Sequence, residues 1–359
     1  MKSVSELRRQ LVDVWLAAAA RLPGGRLVVM EVCGTHTMAI AASGLKSLLP
    51  DGLELISGPG CPVCVTDQSY MDQAVWLARQ SGVVIATYGD MVRVPGRSGS
   101  LAQARADGAR VEVVYSARQA VALAKANPQS HVVFLGVGFE TTTPATALAV
   151  IEAQRGGVSN FSTFTAHKLI MPAMNALMAA GDVRVDAFLC PGHVSVILGW
   201  KVYEQIARDH ARPCVVGGFE PANILAALIE ICRQIAAGAP AAASVYPPVR
   251  AEGNAAALKL IFDVFEPADA PWRAIGVIPE SGLRLRDEFA QFDTQKRFAL
   301  PPVESYEMPG CRCGDVICGR CRPSHCPLFA KACTPRDPVG PCMVSAEGAC
   351  AAAFKYQRR

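Results

Sequence analysis

The chain has 359 residues, of which 51% are hydrophobic and 18% are charged, and its formal net charge is +4 at pH 7. This composition is typical of a well-buried globular protein rather than a disordered one, and the length predicts two or three domains. Because the charge is mild and no block of Lys and Arg is dense, the sequence counts against a nucleic-acid-binding protein.

The N-terminal segment has the pattern of an amphipathic helix. Leu7, Leu11, Val14 and Ala18 recur at helical spacing with charged residues between them, and the pattern ends at Gly24. It therefore differs from a signal peptide with a continuous apolar core. No stretch approaches the roughly eighteen apolar residues of a membrane span, so we expect a cytoplasmic protein without a membrane segment.

Between this helix and residue 300, short β-branched runs alternate with longer stretches rich in Ala and Leu. The runs are hydrophobic along their whole length, as are strands buried on both faces of a mostly parallel sheet. The alternation predicts an α/β fold with two doubly wound, mostly parallel units. The predicted strands are residues 27–32, 53–56, 83–87, 111–115, 132–137, 161–164, 185–189, 214–216 and 275–278.

Two features of the sequence, a Gly-Gly break and a change in composition, predict the domain boundaries. A break at Gly156 and Gly157 divides the strands into two series, which gives a first α/β domain over residues 1–155 and a second over 156–300. From about residue 301 the chain becomes rich in Pro, Gly and Cys with little periodicity. Residues 301–359 are therefore expected to form a small domain held by something other than a large apolar core.

The first motif of chemical interest follows the strand predicted at 27–32. Cys33 and His36 stand three residues apart in Cys-Gly-Thr-His, at a turn from strand to helix. A thiol and an imidazole in this arrangement can share one metal, or the imidazole can hold the thiolate. A buried cysteine followed by a helix-capping threonine explains the same residues equally well.

The second motif follows the strand predicted at 53–56. Cys61 and Cys64 form a Cys-Pro-Val-Cys pair where a helix is expected to begin. Amide groups at a helix start favour the ionised thiol, so the pair is suited to cycling between dithiol and disulfide. A structural zinc half-site is the alternative, but no second Cys-x-x-Cys pair lies at the distance usual in zinc fingers.

Three further motifs follow predicted strands, at the edge where open α/β sheets bind their ligands. Glu140, in Phe-Glu-Thr-Thr-Thr-Pro, can orient a ligand or act as a general base, or it can be a solvated charge. The dipeptide His167-Lys168 ends one strand of the second series. His193, flanked by Gly and Ser in Pro-Gly-His-Val-Ser, is the stronger histidine candidate.

The chain contains fourteen cysteines, and eight of them fall between residues 311 and 350. In a reducing compartment such an excess indicates metal or redox chemistry rather than structural disulfides. Four thiolates suit either zinc or an iron–sulfur cluster. Only Cys318 and Cys321 have the spacing of a zinc knuckle, and the wider intervals favour a cluster whose ligands converge from several loops.

Taken together, these motifs resemble the HypD family of [NiFe]-hydrogenase maturation factors. The resemblance runs from about residue 5 to the terminus and rests on the Cys33, Cys61/Cys64, Glu140 and His193 motifs and on the terminal cysteine series. It implies two α/β domains and a small domain that carries a [4Fe–4S] cluster. The family's ligand spacing, with gaps of 14, 6 and 16 residues, is found here at Cys311, Cys326, Cys333 and Cys350, with Cys313 as an alternative to Cys311.

The resemblance also implies a function. Members act with the small chaperone HypC as a scaffold on which an Fe(II) ion receives CN and CO ligands before delivery to the hydrogenase large subunit, and HypE supplies the cyanide. Cys33 is then the expected iron ligand, with His36 and His193 orienting ligands. In this hypothesis the cluster feeds electrons to the Cys61/Cys64 dithiol, which serves the iron.

Two functions of other classes compete with the assembly scaffold. One is a stand-alone thiol–disulfide oxidoreductase linked to an iron–sulfur cluster, with Cys61 and Cys64 acting on a protein substrate. The other is an α/β binding protein stabilised by zinc. We expect an assembly scaffold with redox activity rather than an enzyme with ordinary turnover.

Overall fold

The computed structural model describes residues 3–357 and confirms the α/β fold class. The strands are β1 Leu27–Glu31, β2 Leu53–Ser57, β3 Val83–Thr87, β4 Arg110–Val113, β5 His131–Gly138, β6 Phe161–His167, β7 Ala187–Pro191, β8 Cys214–Gly217, β9 Ala242–Ser244, β10 Phe265–Trp272 and β11 Gly276–Leu285. The helices are α1 Val4–Ala19, α2 Gly34–Ala42, α3 Pro62–Val65, α4 Gln68–Ala78, α5 Leu101–Ala106, α6 Ala117–Ala126, α7 Thr143–Arg155, α8 Ile170–Ala180, α9 Gly192–Leu198, α10 Glu204–His210, α11 Pro221–Ala237, α12 Ala255–Val264, α13 Thr294–Arg297, α14 Cys313–Ile317, α15 Pro341–Val344 and α16 Ala349–Tyr356.

The first sheet has five parallel strands in the order β2-β1-β7-β8-β9. Strand β1 is buried along its whole length, as its continuous apolar sequence predicts for a central strand. The predicted N-terminal helix is confirmed as α1, which starts in a capping box between Ser3 and Glu6. Its buried side chains, among them Leu11 and Trp15, form an apolar core with α11 on one face of this sheet.

The second sheet has four parallel strands in the order β4-β3-β5-β6. Helices α6, α7 and α12 contribute to an apolar core on one of its faces, where Phe134 and Phe161 are fully buried. Strand β5 lies in the centre, because it pairs with both β3 and β6. As in other parallel sheets, the carboxyl ends of the strands meet at one edge.

The two sheets do not divide the strands in the way that the predicted domains 1–155 and 156–300 do. Strands β1 and β2 pair in one sheet with β7, β8 and β9, and β6 joins the sheet of β3–β5. The chain therefore leaves the first sheet after β2, builds the second, and returns at β7. Local hydrophobicity does not encode this crossing, because strands buried on both faces look alike whichever partner they have.

The strand predicted at residues 275–278 is also corrected. It belongs to β11, which pairs antiparallel with β10 in a two-stranded hairpin outside both parallel sheets. The register shifts between Ala268 and Ala270, as at a β-bulge. The hairpin reaches the Cys-Pro-Val-Cys segment, because the N–H of Arg273 donates to the carbonyl of Val65.

Residues from about 301 onward pack against both parallel sheets. The largest apolar core joins Met30 of the first sheet and Ile85 of the second to Val316, Cys342 and Cys350 of the cysteine-rich region. The cysteine-rich region is therefore part of the common core rather than an appendage. In the part of the chain from 3 to 357, no helix is both long and apolar enough to cross a membrane.

Candidate functional site

The loops that carry Cys33 and Cys61 touch through their backbones. A side chain at Gly60 would place its Cβ 2.1 Å from the backbone N of Cys33, so only glycine fits there. The N–H of Gly34 donates to the carbonyl of Gly60 at 3.1 Å. Because β1 and β2 are neighbours in register, their following loops leave the sheet side by side, and the two predicted thiol motifs form one site.

Cys33 is a free thiol at the N-cap of α2, with 8% of its surface exposed. Burial raises the pKa of this thiol to about 12, and the backbone N–H groups of His36 and Thr35 offset only part of that effect. Glu347 raises it further through its charge. At neutral pH the sulfur therefore keeps its proton unless a cation replaces it.

A segment of the cysteine-rich region, residues 345–348, forms one wall of this site. The hydroxyl of Thr35 donates to Oε1 of Glu347 at 2.7 Å. A Cβ at Gly34 would lie 2.5 Å from Cβ of Glu347, so the two backbones also approach closely. The segment ends two residues before Cys350, so it connects the Cys33 loop directly to the candidate cluster ligands.

The same segment contacts the predicted redox pair. Cys61 and Cys64 are joined as a disulfide. Cys61 is the N-cap of α3, so the pair stands where a helix begins, as the sequence predicts. The N–H of Cys64 donates to Sγ of Cys61 at 3.2 Å. Ser345 Oγ lies 3.3 Å from Cys61 Sγ and donates to Oδ2 of Asp90 at 3.1 Å. Asp90 follows β3, so the edges of the two sheets meet at this disulfide.

The structure brings the predicted histidines His36 and His193 together around one phenyl ring. The ring of Phe219 lies 4.8 Å from that of His36 and 4.1 Å from that of His193. His36 is fully buried and its Nε2 lies 3.0 Å from the carbonyl of Gly218, which leaves Nδ1 without a partner among the described residues. Burial lowers the pKa of His36 to about 4, so its ring is neutral at pH 7. His193 is exposed.

Glu140 lies at the carboxyl edge of the second sheet and is almost completely buried. Its Oε1 accepts from the N–H of Ile170 at 2.9 Å, whereas no partner of Oε2 lies within residues 3–357. Burial raises the pKa of this carboxyl to about 7. The alternative of a solvated rim charge is therefore wrong, and the group is a buried acid beside the start of α8.

His167 and Lys168 lie on the same edge but are held by structural contacts. His167 Nε2 lies 3.1 Å from the hydroxyl of Thr146, and burial lowers the pKa of the imidazole to about 4. Lys168 Nζ donates to the carbonyl of Pro271 at 2.9 Å. Burial lowers the pKa of this lysine to about 8. These contacts favour a structural role for both residues, although Nδ1 of His167 has no partner among residues 3–357.

Seven of the eight terminal cysteines lie close enough to another of them to affect its pKa or to have their own pKa affected. Sγ of Cys313 lies 2.9 Å from Sγ of Cys342, within hydrogen-bonding distance. Burial raises the pKa of Cys333, and the neighbouring Cys350 and Cys326 raise it further. Cys326 also acts on the pKa of Cys311 and of Cys321. Members of the predicted set of Cys311, Cys326, Cys333 and Cys350 are thus close enough to affect the pKa of one another.

Cys318 stands apart from this set. The charges that affect the pKa of its buried thiol belong to Arg320, Asp182, Asp315 and Glu307, not to another cysteine. The pKa of Cys321, unlike that of Cys318, is affected by Cys326 and Cys350, so the two members of this pair have different surroundings. Within the described range 3–357, no three His, Cys, Asp or Glu side chains converge at single-metal-ion spacing. Four thiolates are the donor set that a [4Fe–4S] cluster takes, so the cysteines of this region fit such a group in their chemistry.

Arg273 links the disulfide segment to the cysteine-rich region. Its buried guanidinium donates to the carbonyls of Cys64 at 2.9 Å and Thr66 at 2.7 Å, and to Oε1 of Gln68 at 2.8 Å. Its positive charge also lowers the pKa of Cys313, for which hydrogen bonds from neighbouring thiols are the main cause. A fixed charge thus lies between the two groups of sulfurs.

Several of these contacts involve residues that lie outside the motifs recognised in the sequence. Ser345 and Glu347 stand just before Cys350, and their closeness to a candidate ligand was the signal available in the sequence. Asp90 and Arg273 gave no local signal, because each lies in an ordinary loop. Glu31 was hidden inside an apolar strand, where burial raises its pKa to about 7 and Ser57 donates to its Oε1 at 2.7 Å.

Comparison with known proteins gives matches along nearly the whole chain. The profile of a protein family described as "HypD: Hydrogenase formation hypA family" matches residues 9–357. The chain is 44% identical to the hydrogenase maturation factor HypD of Azotobacter vinelandii, over 100% of this chain and 98% of that protein. It is also 44% identical to the proteins of the same name from Escherichia coli K12, over 93% and 90%, and from Rhodobacter capsulatus, over 91% and 89%.

The close approach of the two loops predicts the cost of a side chain at Gly60. We expect Gly60→Ala to destabilise the fold by several kcal/mol, on the order of the upper range for single substitutions, because its Cβ overlaps backbone atoms of Cys33 and Val32. Chemical unfolding measures this change. Gly89→Ala is the matched control, since its Cβ would meet only Val113 Cγ1 at 3.8 Å. Equal stability of the two variants would contradict the close contact.

The buried carboxyl of Glu140 predicts a dependence of stability on pH. Its pKa rises from about 4.5 in the unfolded chain to about 7 in the fold, so the folded state binds more protons between these values. Its contribution to stability is therefore fully present below pH 4.5 and is lost as pH rises to 7. Glu140→Gln, which resembles the protonated acid, should gain stability relative to the parent over this window, by at most about 3 kcal/mol.

Chemical unfolding at a series of pH values measures the difference between parent and Glu140→Gln. Glu31 titrates near the same pH but is present in both proteins, so its effect cancels in the difference. A difference that stays constant from pH 4.5 to 7 would show that Glu140 is not a buried acid.

Proposed function

The chain belongs to the HypD family of hydrogenase maturation factors, and from this premise we propose that it is a scaffold on which the Fe(CN)2CO unit of [NiFe] hydrogenase is assembled. A HypC-type chaperone is its partner on this scaffold and a HypE-type protein donates cyanide. The observation that carries the proposal is the contact of the Cys33 loop with the Cys61–Cys64 disulfide through Gly60. A metal-ligand candidate and a redox pair thus share one site.

Cys33 is the residue we assign to the iron of the cargo. Its thiolate is a soft donor that suits Fe(II) with CN and CO ligands, and a cysteine of the chaperone would complete the thiolate support. The sulfur is nearly buried, and the adjacent backbone N–H groups of Thr35 and His36 favour its ionised form. Binding of iron replaces the proton that burial otherwise keeps on this sulfur.

His36 and His193 are the residues we assign to the orientation of ligands near the cargo. His36 carries an unpartnered, buried Nδ1 and is neutral at pH 7, so that nitrogen is an acceptor when Nε2 donates to Gly218. His193 is exposed, and its ring contacts the same phenyl ring with 4.1 Å between the centroids. An exposed candidate donor and a buried one thus both contact Phe219.

Cys61 and Cys64 supply the redox function in this proposal. The pair exchanges two electrons when it passes between disulfide and dithiol. With 5% and 0% of their surfaces exposed, the two sulfurs are closed to a large protein substrate. This burial counts against the alternative of a stand-alone thiol–disulfide oxidoreductase and favours service to a neighbouring site within the chain.

The cysteine-rich region is assigned to a resident [4Fe–4S] cluster. Cys311, Cys326, Cys333 and Cys350 would hold it, with Cys313 as the alternative to Cys311. When bound, such a cluster supplies or accepts single electrons. The residues of this region also do structural work at the site, because Ser345 and Glu347 fix the loops of Cys61 and Cys33. We place the protein in the cytoplasm, where the hydrogenase large subunit receives the finished iron unit.

The assignment of Cys33 predicts a spectroscopic loss. The protein is produced with its maturation partners and examined by infrared spectroscopy for bands of metal-bound cyanide and carbon monoxide. Cys33→Ala should abolish these bands without changing the absorption of the cluster, because the two metal sites use different thiols. Cys232→Ala, which removes another buried thiol on α11, should keep them. Bands retained in Cys33→Ala would overturn the assignment.

The assignment of the cluster predicts iron and sulfide contents. Anaerobically prepared protein should be brown and hold about four iron and four sulfide ions per chain. Cys326→Ala should lose most of this iron, whereas Cys318→Ala should retain it, because Cys318 is electrostatically separate from the other thiols. Loss of iron from both variants alike would contradict this ligand set, and a colourless zinc protein would contradict the cluster.

A further inference from the structure

A hydroxyl and a carboxylate lie in line with one sulfur of the Cys61–Cys64 disulfide. Ser345 Oγ is 3.3 Å from Cys61 Sγ and 3.1 Å from Asp90 Oδ2. Ser345 is buried, Cys61 is nearly so, and Asp90 is half-buried and in contact with solvent. The three groups come from three different parts of the fold, the loops after β2 and β3 and the cysteine-rich region.

We infer that Ser345 and Asp90 form a proton-transfer path between Cys61 Sγ and solvent. The inference rests on the redox role proposed above for the Cys61/Cys64 pair. In the direction of oxidation, the Cys61 thiol gives its proton to Ser345 Oγ as the hydroxyl proton passes to the Asp90 carboxylate. The products are a Cys61 thiolate and a protonated Asp90, which releases the proton to solvent. Reduction of the disulfide runs the path backwards.

The hydrogen-bonding capacity of Ser345 fixes the direction of this path. A serine hydroxyl donates one hydrogen bond and accepts two. Ser345 Oγ donates to Asp90 Oδ2 and accepts from the N–H of Glu347 at 3.2 Å. The remaining acceptor position faces Cys61 Sγ, as required to receive a thiol proton. Asp90 Oδ2 is held in place by the N–H of Ala346 at 2.9 Å.

The path leads to Cys61 rather than Cys64. Cys64 is completely buried and its N–H donates to Cys61 Sγ at 3.2 Å, which favours the ionised form of Cys61. Cys61 therefore carries the nucleophilic thiolate, and Cys64 closes the disulfide on it. Since little water reaches a sulfur that is 5% exposed, a fixed polar path replaces direct proton exchange.

Other charged or titratable groups surround this line of atoms. They lie on the neighbouring loops and on the elements packed against α3, and all remain in place in the variants below. They are Glu31, Cys33, Arg93, Arg273, Cys313, Asp315, Cys342 and Glu347. A kinetic change on removing only the Ser345 hydroxyl or the Asp90 charge is consequently attributable to the path.

The test is the rate at which the reduced full-length protein is oxidised by 2-hydroxyethyl disulfide. The Cys61 thiolate attacks this reagent to give a mixed disulfide and one thiolate, and Cys64 then displaces the second with formation of the Cys61–Cys64 bond. Both 2-mercaptoethanol products take up the protons that the two cysteines lose. Acid quenching and peptide mass spectrometry measure the Cys61–Cys64 disulfide against time, from pH 6 to 9, in H2O and in D2O.

We expect Ser345→Ala and Asp90→Asn to slow the reaction by about tenfold or more, since a positioned acid–base group commonly contributes at least this factor. The solvent isotope effect and the pH profile should change with the rate. Ser345→Thr, which keeps the hydroxyl, should restore all three. Asp90→Asn keeps an acceptor for the N–H of Ala346, so the segment stays docked in that variant. The rate of Cys33 alkylation by iodoacetamide checks this docking.

Rates, isotope effects and pH profiles equal to those of the parent in Ser345→Ala and Asp90→Asn would overturn the path. A slower reaction with an unchanged isotope effect and no rescue by Ser345→Thr would equally overturn it, because that result indicates a structural role. The measurement uses neither partners nor the iron cargo. Its failure is therefore distinguishable from failure of the proposed function, which the infrared bands of Cys33→Ala test separately.

Discussion

The candidate site depends on one steric constraint, the contact of two backbones at Gly60. Because no Cβ fits between Gly60 and Cys33, the loops after β1 and β2 can approach until their peptide groups hydrogen-bond. That approach places a free thiol beside a disulfide. The rates of electron transfer and of ligand exchange between two groups both fall steeply as the groups move apart. A reaction that couples Cys33 to the Cys61–Cys64 disulfide therefore requires this contact.

Residues 345–348 form a third segment that packs against the two loops at this contact. Glu347 hydrogen-bonds to Thr35 beside Cys33, and Ser345 lies between Cys61 and Asp90. These residues stand between Cys342 and Cys350, so one short segment connects the terminal cysteines to both thiol motifs. The cysteine-rich region is therefore best understood as part of the site, in structure as well as in the proposed chemistry.

Burial sets the protonation states around these sulfurs. It raises the pKa of Cys33 to about 12 and that of Glu140 to about 7, and it lowers that of His36 to about 4. The Cys33 thiol and the His36 ring are thus neutral at pH 7 in the absence of a bound ion, and the Glu140 carboxyl is about half protonated there. Charged groups are present as well: the guanidinium of Arg273 is compensated by two carbonyls and one side-chain amide, and Glu347 acts on Cys33 through its charge. A nearly buried site with a soft thiol donor of this kind suits a cargo held by soft ligands.

The sequence by itself determined the α/β class, most strand positions, the three thiol groups and the family, because continuous apolar runs and short motifs are local properties. It predicted Cys33, Cys61 and Cys64 at strand ends, and the structure joins them since β1 and β2 are neighbours. The division of strands between the sheets, the hairpin of β10 and β11, and the roles of Asp90, Ser345 and Arg273 were decided only by the tertiary structure. Those features depend on which distant segments pair, and identical apolar strands carry no local record of their partners.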